Sequence, residues 1–208
     1  GEPPRLLGIK VDVVDAEEAS SPPLPAMTAA QAADAIAAAA SAAAAADEFA
    51  GAVLAARAGG TLVRAAYGMA SREHGVANRP DTKFNLGSIN KLFTRIAIAR
   101  LAAAGKLSLD DRLGKWLPDY PNAAAREKVT LRHLLGMSGG IGDFFGERFA
   151  ATPKDRFRAN RDFLPMFAAD PLQFEPGTSR RYSNGGFVVL GEVVAAASGR
   201  DYHDYVRA

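Results

Sequence analysis

The sequence predicts a mixed α/β (α+β) fold in which a helical lobe packs against an antiparallel sheet, and that sheet reads as incomplete. Two apolar runs, residues 49–58 and 61–67, flank Gly59-Gly60. This is a hairpin signal, because glycine supplies the positive φ that two-residue turns require. From Ser88 onward the apolar residues fall at helical spacing, with capping residues before them and glycine stops after them. An isolated hairpin is barely stable in water, so one hairpin followed by many helices in 208 residues leaves the sheet short of strands.

Residues 5–15 alternate apolar and polar side chains in their second half, like a short half-buried strand. Residues 16–25 follow as a linker, with Ser20-Ser21-Pro22-Pro23 and Pro25. Residues 1–25 therefore read as the strand and linker remnant of a preceding region, a disordered arm being the other reading, and residues 26–208 as the main domain. Thr28 offers an N-cap for an alanine-rich helix over residues 29–48. Its large anchors are few, chiefly Ile36 and Phe49, so weak packing is expected, on the outer face of the sheet. After the hairpin, Ser88 opens a long helix patterned by Leu92, Phe93, Ile96, Ala99 and Leu101 and stopped by Gly105. Shorter helices are signalled at Ser108 and at Thr130 before residues 131–135. Residues 184–198 form another with Gly199 as stop, and Asp201 caps a last one.

Composition removes several kinds of chemistry. The chain is 48% hydrophobic and 23% charged, which suits a globular domain. Its net charge of +2 is too small to argue for a nucleic-acid partner or an anionic membrane. There are no cysteines and only three scattered histidines, His74, His133 and His203. Disulfides, thiolate catalysis and cysteine metal sites are thereby excluded, and neither a metal centre nor a cofactor is expected. No apolar run reaches the ~18 residues of a membrane span. The chemistry must come from oxygen and nitrogen side chains.

Two short motifs supply such groups. Ser88 and Lys91 stand three apart at the start of a helix, on one face, so the amine reaches back toward the hydroxyl. A free lysine, with a pKa near ~10.4, becomes a base at neutral pH only where burial and the positive end of a helix favour the neutral amine. The Ser88 N–H, at the helix start, is a candidate oxyanion donor. A capping serine beside a solvated lysine is the simpler reading of the same residues. Tyr182 and Asn184 sit in a loop feeding the helix at 184–198. A tyrosine hydroxyl relays protons and an asparagine amide both donates and accepts, although a buried tyrosine and an Asn-Gly turn would look the same. A competing serine, Ser138 in Gly136-Met137-Ser138-Gly139-Gly140, satisfies the G-x-S-x-G pattern. That motif needs a strand before it and a helix after it, and here only His203 could complete a triad. Arg180-Arg181 read as a solvated pair or as an attractor for a substrate carboxylate.

Together Ser88…Lys91 and Tyr182…Asn184 resemble the serine β-lactamase and penicillin-binding protein superfamily, in its branch of class C β-lactamases, D-aminopeptidases and esterases. Residues 84–88 through 105–111 resemble its nucleophile helix and exit. Residues 116–120, 129–135 and Glu175-Pro176-Gly177-Thr178 resemble its later landmarks, and the hairpin falls where its first strands lie. The resemblance implies a β-lactamase-like fold with Ser88 as nucleophile. Lys91 and Tyr182 would share acid and base work, and Asn184 would orient the lysine or the substrate. Expected partners are small-molecule or peptide-like acyl substrates, namely esters, β-lactams or amides, and the expected compartment is periplasmic or extracellular. The family's third motif, a basic or His residue followed by Ser or Thr and Gly on a cleft-lining strand, has no match after Tyr182. The chain is therefore expected to hold only the N-terminal and helical part of the domain. A catalytically incomplete binding module is the alternative to an active hydrolase. Exposed edges of an unfinished sheet would favour self-association.

Overall fold

Thr28 begins the first element of the computed structural model, which describes residues 26–208; the strand and linker expected over residues 1–25 lie outside the described residues. Contacts divide the chain into two units that meet in sequence between Phe84 and Asn85.

In the first unit, the Thr28 hydroxyl accepts from the Gln31 N–H while the Gln31 side chain accepts from the Thr28 N–H. This reciprocal capping starts helix α1, Ala29–Ala45, by satisfying donors that the helix leaves free. The helix stops three residues short of the predicted Glu48. Asp47 turns left-handed, with φ 63°, and the N–H groups of Glu48 and Phe49 close back on the Ala43 carbonyl, a C-terminal stop of the left-handed kind. No residue of α1 is buried. Ala33, Ile36, Ala37, Ala40 and Ala44 form a half-buried stripe, and the helix packs on β2. The expectation of weak packing holds for a physical reason: methyl groups carry high helix propensity but little area to bury.

Strands β1 (Gly51–Arg57) and β2 (Gly60–Tyr67) form the expected antiparallel hairpin. Its turn is displaced by one residue from the prediction. Arg57 pairs with Gly60, so the turn residues are Ala58 and Gly59, with φ of 44° and 85°. A primed turn needs positive φ at both positions, and here an alanine accepts the strain while Gly60 enters the strand. A second, very short hairpin, β3 (Met69–Ser71) with β4 (Val76–Ala77), was not foreseen. Among the described residues both sheets are two-stranded, so each strand has one unpaired edge.

The second unit is helical. A 3-10 turn, Gly87–Ile89, leads into α2, Asn90–Ala103. There follow α3 (Leu113–Trp116), α4 (Ala123–Lys128), α5 (Leu131–Leu135), α6 (Glu147–Ala151), α7 (Asn184–Ser198) and α8 (Tyr202–Arg207). The centre is α7, against which α2, α3, α5 and α8 all pack. Its Val189, Leu190, Val193 and Val194 are completely buried, together with Ile98, Leu113 and Leu131, and Phe167 is nearly so. Sequence signals hold well here. Thr130 caps α5, Gly199 ends α7 in the left-handed conformation, and Asp201 caps α8 through two N–H groups.

One expectation fails. Ser108 starts no helix; its N–H donates to the Asp111 carboxylate and its carbonyl accepts the Asp111 N–H, closing a turn before α3. Of the residues whose spacing marked α2, Leu101 packs in the core and Leu92, Phe93 and Ile96 do not. The core takes Thr94, Ala97, Ile98 and Leu101, whereas Ile89, Leu92, Phe93 and Ile96 lie on the exposed side, Ile89 at 61% and Leu92 at 54% exposure. The helix is apolar on both faces, so periodicity could not tell which one packs. After α5 a glycine-rich loop runs into a cluster of phenylalanines. Phe163 packs on Phe144 at 4.8 Å and on Phe157 at 4.5 Å between ring centroids, tying residues 144–163 together.

Candidate active site

Four side chains separated by up to 96 positions in sequence meet at the N-terminal ends of α2 and α7. Ser88 lies within the 3-10 turn, and no side chain caps α2. Its hydroxyl is thus free of the capping duty that the simpler reading assigned to it. The turn is set by Gly87, at φ 53°, whose N–H donates to Asn85 Oδ1 at 2.9 Å. Lys91, in the first turn of α2, donates from Nζ to Ser88 Oγ at 3.2 Å. The i, i+3 contact expected from sequence is therefore formed.

The other wall is the segment entering α7. Ser183 caps that helix, accepting from the Gly186 N–H at 2.8 Å and donating to the Gly142 carbonyl at 2.8 Å. The Arg181 N–H donates to the Met137 carbonyl at 3.0 Å, and Arg180 Nε to the Gly136 carbonyl at 3.1 Å. Arg180 thus holds backbone. Gly185 is so close to the Gly142 carbonyl and the Phe167 ring that a Cβ would collide with both. Residues 136–143 and 180–185 are therefore zipped together, which fixes Tyr182 and Asn184 in front of α2.

Tyr182 Oη lies 2.5 Å from Ser88 Oγ, and Lys91 Nζ sits 4.7 Å from the centre of the Tyr182 ring. Asn184 Oδ1 accepts from Lys91 Nζ at 2.6 Å. All four predicted site residues are brought together. Burial pushes the Tyr182 phenol up, but hydrogen bonds with Lys91 and Ser88 and the charge of Lys91 outweigh it. The net result holds Tyr182 below its ordinary value of 10.0, with the Asp143 charge opposing. A cleft of about 390 Å³ opens over Ser88, lined also by Lys91, Leu92, Arg95, Met137 and Tyr182. A second, of about 390 Å³, reaches Lys91 and Asn184 from the side of Phe93, Phe187 and Tyr202.

One contributor was missed in the sequence. Asp143 Oδ2 accepts from both the backbone N–H and Nδ2 of Asn184, at 2.7 and 2.9 Å. Its only sequence signal is a lone acidic residue in the glycine-rich stretch 139–146, and its partner is 41 positions away.

Ser138 is placed differently. It follows helix α5 and not a strand, is followed by loop, and its hydroxyl donates to the His133 carbonyl at 3.4 Å. The strand-to-helix elbow is absent from this position. His203 stands on α8, whose Tyr202 hydroxyl is 2.7 Å from Thr94 Oγ1, so Tyr202-His203-Asp204 form no cleft-lining strand. Among the described residues no three His, Cys, Asp or Glu side chains cluster as metal ligands, and no helix is long and apolar enough to cross a membrane.

Comparison with known proteins places the chain in a family. The family model described as Beta-lactamase matches residues 36–208. The chain is 33% identical over 162 residues to penicillin-binding protein 4* of Bacillus subtilis (strain 168), covering 77% of this chain and 35% of that protein. It is 38% identical over 160 residues to esterase EstB of Burkholderia gladioli, covering 71% and 40%. In structure it is similar to a penicillin-binding protein from Bacillus halodurans, with TM-score 0.67 and 37% identity over 76% of this chain and 49% of that one. The chain thus spans well under half the length of these two sequence relatives. The β-lactamase-like α/β fold expected from the motifs is the fold observed.

Proposed function

Because the chain belongs to the beta-lactamase family, whose serine hydrolases include the relatives above, we propose that residues 26–208 carry the nucleophile, base and orienting groups of an acyl-transfer hydrolase acting through Ser88. The observation that carries this reading is the simultaneous contact of Ser88 Oγ with Tyr182 Oη and Lys91 Nζ. A hydroxyl is a weak nucleophile unless a neighbouring group takes its proton, and here two such groups converge on one oxygen.

Tyr182 is the nearer, and its lowered pKa favours the phenolate. In the proposed reaction Tyr182 takes the Ser88 proton while Oγ bonds to the substrate carbonyl carbon. Collapse of the tetrahedral adduct breaks the ester, β-lactam or amide bond, and the leaving oxygen or nitrogen takes the proton from Tyr182. The same phenolate then takes a proton from water as the water oxygen bonds to the acyl carbon; the Ser88 Oγ–carbon bond breaks, Tyr182 returns that proton to Oγ, and the acid is released. Lys91 lies beside both oxygens and stabilises negative charge as it shifts between them, and Asn184 holds the lysine amine in place. The penicillin-binding and esterase names of the relatives support the substrate class: acyl compounds with a reactive ester or amide carbonyl.

The test is intact mass after incubation with a fluorophosphonate probe. A single adduct is expected on the chain and none on Ser88→Ala. An adduct that persists in the variant would move the nucleophile elsewhere, Ser138 first. A folded chain that takes up no probe would favour the non-catalytic binding module.

A further inference from the structure

We propose that Asp143 is a positioning residue: it dictates which end of the Asn184 amide faces Lys91, and so where the lysine amine is held beside Ser88. This rests on the reading of Ser88, Lys91 and Tyr182 as the reacting groups.

The two ends of an asparagine amide are nearly alike in shape and opposite in function, one accepting and the other donating. The surroundings of Asn184 remove that ambiguity. Its backbone N–H, which can only donate, points at Asp143 Oδ2 over 2.7 Å, so that oxygen is an acceptor. The side-chain atom 2.9 Å from the same oxygen must then be the donor end, Nδ2. Oδ1 is thereby turned toward Lys91 Nζ, 2.6 Å away. A lysine amine offers donors to this contact. A reversed amide would set donor against donor, and Lys91 would lose the partner that fixes it 3.2 Å from Ser88 Oγ.

Asp143 is well placed to impose this. Next to it, the Gly142 carbonyl accepts from Ser183 Oγ at 2.8 Å, and beyond it Phe144 is packed into the phenylalanine cluster. The carboxylate is therefore anchored on both sides. Because α7 begins at Asn184, the same oxygen also satisfies an N–H that the helix leaves unpaired.

The proposal concerns an acceptor oxygen, not a charge, and this sets the test. Asp143→Asn keeps a carbonyl oxygen able to accept both bonds; Asp143→Leu keeps the size and removes the acceptor. Fold is checked by far-UV circular dichroism, and should Asp143→Leu not fold, Asp143→Ala is read in its place. Two quantities are then measured: the rate of Ser88 phosphonylation, and the side-chain ¹⁵N–¹H signals of Lys91 and Asn184.

Asp143→Leu is expected to slow labelling by about 10- to 100-fold, since a misplacement of about 1 Å at a reacting group can cost about 100-fold. It should move the Lys91 signal to where Asn184→Ala moves it. Asp143→Asn should keep most of the wild-type rate and the wild-type signals. If Asp143→Leu labels like wild type, or if Asp143→Asn falls as far as Asp143→Leu, the proposal is wrong. Should the wild-type chain take up no probe, the hydrolase reading fails. The signals then decide alone: a Lys91 signal unmoved in Asp143→Leu but displaced in Asn184→Ala overturns the role of Asp143.

Discussion

The two units of this chain solve the problem of burial differently. Residues 85–208 place helix α7 at the centre of a continuous core, with Ile98, Leu113, Leu131, Val189, Leu190, Val193 and Val194 wholly out of water. In residues 26–84, Val63 of β2 is the one large apolar side chain that is buried, and α1 buries none of its residues. Both units have sound local structure. Thr28 and Thr130 make the same reciprocal cap, each hydroxyl accepting from the N–H three residues on while that residue's side chain accepts in return. Caps and propensity therefore fix where elements begin, whereas buried volume decides whether they hold. The side chains proposed to react all belong to the unit with the core, which suits chemistry that tolerates only small errors of position.

Five substitutions test that contrast, beginning with the largest expected effect. Tyr182→Phe removes the group in contact with Ser88 and should slow phosphonylation by about 100- to 10,000-fold, the usual contribution of a general base. The sign of the pH dependence follows from the lowered phenol. As pH rises, Tyr182 loses its proton earlier than a free phenol does, because Lys91 and Ser88 favour the phenolate, so labelling should climb with pH. Tyr182→Phe should flatten that rise; a rise that survives would assign the base elsewhere.

Leu190→Ala empties a fully buried site and should lower stability by about 2–5 kcal/mol. Leu54→Ala, on β1 at 71% exposure, should stay within about 0.5 kcal/mol. Denaturant unfolding measures both, and similar losses would mean that the first unit has a core of its own. The caps contribute less than the core. Thr130→Ala and Thr28→Ala each remove about 1 kcal/mol of helix stability. Thr130→Ala should shift the global melt, because Leu131 and Leu134 of α5 lie in the core. Thr28→Ala should instead fray α1, read as faster amide exchange with an unchanged midpoint.

What was legible in the sequence follows the same division. Signals that act over three or four residues were readable: Thr28, Thr130 and Asp201 as caps, Gly199 as a stop, Ser88 and Lys91 on one helix face. The link from Tyr182 to Ser88 spans 94 positions, and only the resemblance of the paired motifs suggested it. Asp143 had no such motif, and its role exists only because two distant loops are zipped together. Within elements, the hairpin turn was misplaced because Ala58 adopts a positive φ that local preference assigns to glycine. The spacing of α2 marked it as a helix without telling which of its two apolar faces packs, and leucine, phenylalanine and isoleucine lie on the side away from the core.

That outward stripe of Ile89, Leu92, Phe93 and Ile96 has a practical side. Environment-sensitive dyes that brighten on apolar surface will find it before any heating begins. A dye-based melting curve of this chain should start bright and rise little, and could pass for a molten globule. Near-ultraviolet circular dichroism reports fixed aromatic packing, and the tightly clustered rings of Phe144, Phe157 and Phe163 will show in that signal that the native state is intact.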